Sequence, residues 1–193
     1  CYVWNKIFKK DLIDRYCFRF PAGRWYEDSA VVYNMMLAAN KIECVHIPLY
    51  EYKVRRAGGT AHLVDDRVFD VLLSAKDIVA FFQKQGLFHG NMIETAYHLC
   101  RDHINARFNF LSNSDDSALK AKFINEAFDF FDEYFPNWIS YHKPEDPEEN
   151  ALGYAKLHRD FALKYFCDSK IQAQYAALNK LHKKSRNEKY INC

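Results

Sequence analysis

The pattern of apolar and polar positions changes character near residue 59. Before it, apolar positions come in short runs, Tyr2–Phe8, Phe18–Pro21 and Val45–Tyr52, punctuated by Pro, Gly and polar residues. Such runs predict short strands and loops around a helix. That helix is expected from about Ser29 to Asn40, where Val31, Val32, Met35, Met36 and Ala39 recur at helical spacing, and its apolar face should bury against neighbouring strands. A second, short helix fits Lys10 to Arg15. Ile47 to Tyr52 has the character of a strand, which Pro48 confines to a sheet edge or a strand start.

After Gly59 helical periodicity dominates. Val68, Val71, Leu72, Ala75, Val79 and Phe82 repeat at steps of three and four, predicting a helix over about Val64 to Gln85, with Gly86 as its stop. Asn91 followed by Glu94 has the form of a helix cap with an acid three residues on, and the apolar series continues through Ala96, Leu99, Ile104 and Phe108. A further helix is expected from Ser117 to Phe135, ended by Pro136. The polar stretch from Pro144 to Glu149 predicts an exposed loop or linker, taken broadly as 137–150, and Leu152 to Lys184 predicts one long helix or two separated near Asp168. The expected fold is therefore α+β and mainly α. A small α/β part, 1–62, precedes a helical region, 63–193.

Composition narrows the functional classes. The chain has 193 residues, 49% of them hydrophobic, enough for a real core. Its 27 Lys and Arg against 25 Asp and Glu supply no basic field for nucleic acid, which is not an expected partner. Aromatics make up 17%, and core packing is their first expected use, sugar stacking their second. The six cysteines are widely and irregularly spaced with no C-x-x-C pair, which predicts free thiols in a reducing compartment. No apolar run approaches the roughly 18 residues that span a bilayer. A cytoplasmic location is expected; the basic tail of Lys180, Lys183, Lys184, Arg186 and Lys189 reads as a solvated helix end, with peripheral contact to anionic lipid head groups as the alternative. The chain opens on Cys1 rather than Met, so natural sequence is expected upstream of it.

Three ordered blocks carry candidate chemistry: Trp4-Asn5-Lys6-Ile7-Phe8, then Arg19-Phe20-Pro21-Ala22-Gly23-Arg24-Trp25-Tyr26-Glu27-Asp28, then Pro48-Leu49-Tyr50-Glu51-Tyr52 running on to Gly58-Gly59-Thr60. On residues alone, Asp28 or Ser29 would cap the following helix, and both acids would favour its positive end. Together the blocks resemble the C-terminal half of the catalytic domain of family 2 glycosyltransferases, inverting enzymes of the GT-A fold. The resemblance covers about sixty residues and leaves the helical remainder without a motif.

The resemblance implies that Asp28 is the base that takes the proton from an acceptor hydroxyl, with Glu27 contacting the acceptor or orienting the base. It places Trp4 and Lys6 near the acceptor, Trp4 by stacking and Lys6 by charge, with Trp25 and Tyr26 as weaker acceptor candidates beside ordinary packing roles. Arg55, Arg56 and Thr60, in a glycine-bearing loop, would stabilise a nucleoside diphosphate leaving group; an exposed turn is the bland alternative, and His62 is drawn in as a further contact. The implied partners are a sugar nucleotide and a glycan or lipid-linked acceptor, and the implied cofactor is Mn or Mg.

That metal is expected in the full-length enzyme and not in this chain, because the nucleotide-binding half and its D-x-D motif are missing here. Asp129-Phe130-Phe131-Asp132 has the wrong spacing and lies in a predicted helix. The isolated chain is expected to be inactive and, with an apolar edge left uncovered, to form a homodimer at high concentration. The alternative function is a non-catalytic helical interaction module with a degenerate remnant. His98, Asp102 and His103 bring metal-ligand types together on one helix, but no further ligand follows at suitable spacing, so no metal site is expected there.

Overall fold

The computed structural model describes residues 2–48, 50–51, 65–111, 114–141 and 159–168. Among them the architecture is helical: α1 (Lys10–Tyr16), α2 (Glu27–Ala38), α3 (Asp70–Lys84), α4 (Asn91–Leu111), α5 (Ser117–Tyr134) and α6 (Arg159–Cys167), with short 3-10 turns at Asp66–Phe69 and Trp138–Tyr141. The mainly α expectation holds. The strands do not: no described residue lies in a strand, and the expected strand at 47–52 is irregular where it is described. Its alternating pattern is sufficient for a strand only if a partner supplies the ladder of backbone bonds.

Chain contacts divide the molecule into two compact units, Cys1–Asn113 with Phe130–Tyr141, and Ser114–Asp129 with His142–Cys193. In the first, α2 packs on α1 and α3, and α3 packs on α4. The predicted apolar face of α2 therefore buries against helices rather than strands. Val31, Val32 and Met35 form its core, covered by Phe8, Leu12, Ile13 and Phe18. α3 follows the predicted periodicity closely: Val71, Leu72, Ala75, Ile78, Val79 and Phe82 are all buried. Each of these side chains other than Ala75 contributes about 1.5–3 kcal/mol of transfer free energy. The expected stop is also present. Gly86 has φ +65°, its N–H reaches Gln83 O at 3.0 Å, and the Leu87 N–H reaches Phe82 O at 2.8 Å, a Schellman closure that a residue with a Cβ would strain.

Residues 65–69 form a separate 3-10 turn, opened by the Asp65 carboxylate accepting the Arg67 N–H at 2.9 Å. α4 begins at Asn91 itself rather than after it. Its inner face carries Tyr97, fully buried among Phe131, Phe135, Trp138 and Tyr141. In this cluster the aromatic residues serve core packing, the first of the two uses expected of them.

In the second unit, the start of α5 is capped by Asp116, whose Oδ1 accepts the Leu119 N–H at 2.9 Å. Arg159 at the head of α6 pairs with Asp129 at 2.7 Å and lies over the Phe128 ring. α6 ends at Cys167, next to the predicted break at Asp168; the remainder of the expected 152–184 helix and the 144–149 linker lie outside the described residues.

Candidate functional site

The segment carrying Glu27 and Asp28 is held from outside its own helix. The turn at Gly23, φ +75°, delivers Arg24 to Asp77 at 2.7 Å; the Trp25 N–H donates to Asp70 Oδ2 at 2.8 Å, and the Ser74 hydroxyl donates to Tyr26 O at 3.1 Å. Asp70, Ser74 and Asp77 recur at helical spacing on one face of α3. They hold Tyr26 in the left-handed region, φ 60° and ψ 27°, a conformation costing an L-residue on the order of 1–2 kcal/mol. α2 then starts at Glu27, two residues earlier than the apolar pattern predicts.

This placement corrects the capping expectation for Asp28 and Ser29. The N-cap position belongs to Tyr26, with no side-chain cap, and Asp28 sits in the first turn. Its carboxylate instead accepts the backbone N–H of Val3 at 3.2 Å through Oδ2, and the Ser29 hydroxyl at 3.4 Å through Oδ1. Asp28 is half-buried and Glu27 exposed. Both remain within the positive field of the helix start.

Through Val3 the structure brings the first block to the second. Trp4, the residue after Val3 in a turn, stacks on Tyr2 with ring centroids 4.9 Å apart and on Tyr50 at 5.1 Å. Lys6 is exposed, with no ion pair among the described residues. Trp25 is not aligned with this group as an open surface: it is half-buried, with the Arg67 guanidinium 3.9 Å from its ring centroid and the Tyr26 ring edge-on. Arg55, Arg56, Thr60 and His62 lie outside the described residues.

Beneath Tyr26 lies a group that sequence reasoning did not connect to it. The Arg107 guanidinium is 4.3 Å from the Tyr26 ring centroid, and His103 meets the same ring edge-on at 6.2 Å. His103 is 7% exposed, and its Nε2 has no hydrogen-bond partner. Burial first, and the Arg107 charge second, hold its pKa down at about 3, so the imidazole is neutral at pH 7 and a poor proton acceptor. A signal was present: His103 falls on the helix face marked by Ala96 and Cys100, both fully buried. His98 pairs instead with Glu94 at 3.6 Å. No three His, Cys, Asp or Glu side chains come together as a metal site among the described residues.

A cleft of about 500 Å³ opens elsewhere on the first unit, lined by Phe18, Arg19, Arg24, Asn34, Asp77 and Lys84. Neither Asp28 nor Trp4 lies on its wall, so it is not a continuation of the carboxylate site. Comparison with known proteins finds no matching protein family, no matching curated protein and no matching solved structure.

Proposed function

We propose that this chain supplies the base and acceptor side of an inverting, sugar-nucleotide-dependent glycosyltransferase of family 2. Asp28 would accept the proton of an acceptor hydroxyl while that oxygen attacks the anomeric carbon of the donor sugar and the nucleoside diphosphate departs with the bonding pair. The observation that carries the reading is the position of Asp28. Its carboxylate is fixed at a helix start by a backbone donor from residue 3, beside the aromatic stack of Tyr2, Trp4 and Tyr50. A base and a sugar-sized flat surface are the two things an acceptor site needs.

The GT-A remnant, the diphosphate role of Arg55, Arg56 and Thr60, and the hexose donor are parts of this same proposal. The Mn or Mg ion belongs to the complementary nucleotide-binding half; the described residues offer no ligand group for it, and no step above is routed through it. The test is turnover of the enzyme carrying both halves with Asp28→Asn, in which loss of activity with retained fold supports the reading.

One observation favours the second reading, a non-catalytic interaction module. Ile42, Val45 and Ile47, each 62% exposed, lie in an irregular segment after α2. Exposed apolar side chains at this density mark contact surfaces. Absence of glycosyl transfer by the wild-type enzyme carrying both halves would leave this reading as the better one.

A further inference from the structure

The 500 Å³ cleft of the first unit is built where side chains from the ends of α1 and α3 come together. Tyr16 closes α1, Phe18 follows its left-handed cap residue Cys17, and Phe81 lies in the last turn of α3. These three rings all line the cleft and all touch one another. Tyr16 stacks on Phe18 with centroids 5.5 Å apart, and Phe81 meets Phe18 at 5.5 Å and Tyr16 at 6.0 Å. Each is half-buried, held by its neighbours with part of its surface left open. The volume falls within the range of small-molecule sites, about 300–1,000 Å³.

Charge on the same wall is unbalanced. Among the described residues that line the cleft, Asp77 is the sole carboxylate, and Arg24 pairs with it at 2.7 Å. Arg19 and Lys84 remain, both exposed and neither in an ion pair among the described residues. Nη1 of Arg19 donates to the Phe18 carbonyl oxygen at 2.7 Å, which holds the guanidinium at the cleft and leaves its other N–H groups for a ligand. Lys84 follows Phe81 by three residues, so the two share a face of α3. The helix ends nearby supply few open acceptors to offset this charge. Cys17 and Phe18 donate to the carbonyls of Asp14 and Ile13, and Gly86 and Leu87 to those of Gln83 and Phe82.

A flat apolar wall and uncompensated positive charge on one cleft suit a ligand that is itself a flat ring carrying an anionic group. We infer that this cleft binds a small aromatic anion, an aryl carboxylate or aryl phosphate, with its ring against Tyr16, Phe18 and Phe81 and its head group taken by Arg19 and Lys84. The site is separate from Asp28 and independent of the glycosyltransferase reading. A neutral aromatic molecule keeps the ring contact and forfeits the charge; a saturated acid keeps the charge and forfeits the ring contact. Both therefore bind more weakly than the aromatic anion.

Two free, exposed thiols make the test local: Cys17 lines the cleft and Cys44 does not. The 193-residue chain is alkylated with iodoacetamide, a neutral reagent, and modification at each cysteine is followed by mass spectrometry. Benzoate or phenyl phosphate should slow alkylation of Cys17 with rising concentration and leave Cys44 unchanged, and the tighter of the two identifies the head group. Benzamide and cyclohexanecarboxylate should protect Cys17 less. Arg19→Gln and Lys84→Gln should each weaken protection about 1.5- to 5-fold, the span of one exposed charge contact, and added salt should weaken it in the wild type. Phe81→Ala should weaken it about 2- to 12-fold; the two exposed Gln variants carry the test should that variant not fold. Protection of Cys17 by neither anion, equal protection by benzamide, or equal protection of Cys44 overturns the site. A Cys17 that fails to react in the free chain would show the cleft closed and overturn it as well.

Discussion

The backbone N–H of Val3 donates to Oδ2 of Asp28, 25 residues along the chain, at 3.2 Å. This bond, and not helix capping, decides what a substitution of the carboxylate does. The amide oxygen of Asn can accept the same N–H, so Asp28→Asn preserves the tie while abolishing proton acceptance. It forfeits only the charge at the helix start, about 0.3–1 kcal/mol. With Asp28 as the base, turnover falls by at least roughly a hundredfold while the melting temperature moves by a few degrees at most. Measuring both on the same protein separates chemistry from folding. A folded Asn variant with normal turnover would move the base to another group, Glu27 being the next to examine.

His103 makes stability depend on acidity. Its folded pKa, held down at about 3 by burial and Arg107, lies below the 6.5 or so of an unfolded histidine. As pH falls below about 6.5 the unfolded chain takes up a proton that the folded chain refuses, so stability is fully present above that pH and is lost progressively toward 3. The limiting slope is about 1.4 kcal/mol per pH unit for one group. Denaturation of the wild type and of His103→Gln between pH 7.5 and 4 measures it. The variant should lose less stability over that range; parallel losses would show that His103 is accessible to protons in the fold.

The Tyr97 hydroxyl is buried with no hydrogen-bond partner, and burial pushes its pKa up to about 12. An unsatisfied buried polar group costs roughly 1–3 kcal/mol. Removing it in Tyr97→Phe keeps the ring contacts with Phe131, Phe135 and Trp138. The melting temperature should hold or rise by a few degrees. A fall equivalent to more than about 1 kcal/mol would mean that the hydroxyl does bond within the cluster.

The apolar side chains after α2 bear on association. Ile42, Val45 and Ile47 are exposed on a segment without regular structure, an arrangement that favours pairing with a second copy. Sedimentation equilibrium should show a dimer growing in with concentration, and Ile42→Lys with Ile47→Lys should abolish it. A wild-type monomer at every concentration would remove the homodimer from the picture.

The helices were legible because their core positions recur locally. Val71, Ala75, Ile78 and Phe82 spell out one face of α3 within fifteen residues, and Gly86 marks its end by a backbone angle that glycine adopts most readily. What could not be read depends on distant partners. Nothing around Tyr26 announces a left-handed residue, because the groups that hold this turn lie far along the chain, Asp70 45 residues from Trp25 and Ser74 48 residues from Tyr26. The apolar alternation at Ile47–Tyr52 suggested a strand, yet a strand requires neighbours that alternation cannot supply. At the candidate site, the resemblance points to Asp28 and Trp4, but the tie from the Val3 N–H to Asp28 spans 25 residues and has no local signature.

The grip of α3 on residues 24–26 has a consequence for the order of events during folding. Arg24, Trp25 and Tyr26 reach partners 53, 45 and 48 residues ahead, so closing each contact means first losing the freedom of a long intervening loop. Until α3 has formed and docked, nothing holds Tyr26 left-handed, and α2 has no fixed starting point. The start of α2, which carries Asp28, is thus expected among the late-forming features of the first unit. A nascent chain emerging only as far as residue 62 would carry Asp28 and its Val3 donor, but without α3 it would lack the partners that hold Arg24, Trp25 and Tyr26 at the start of α2.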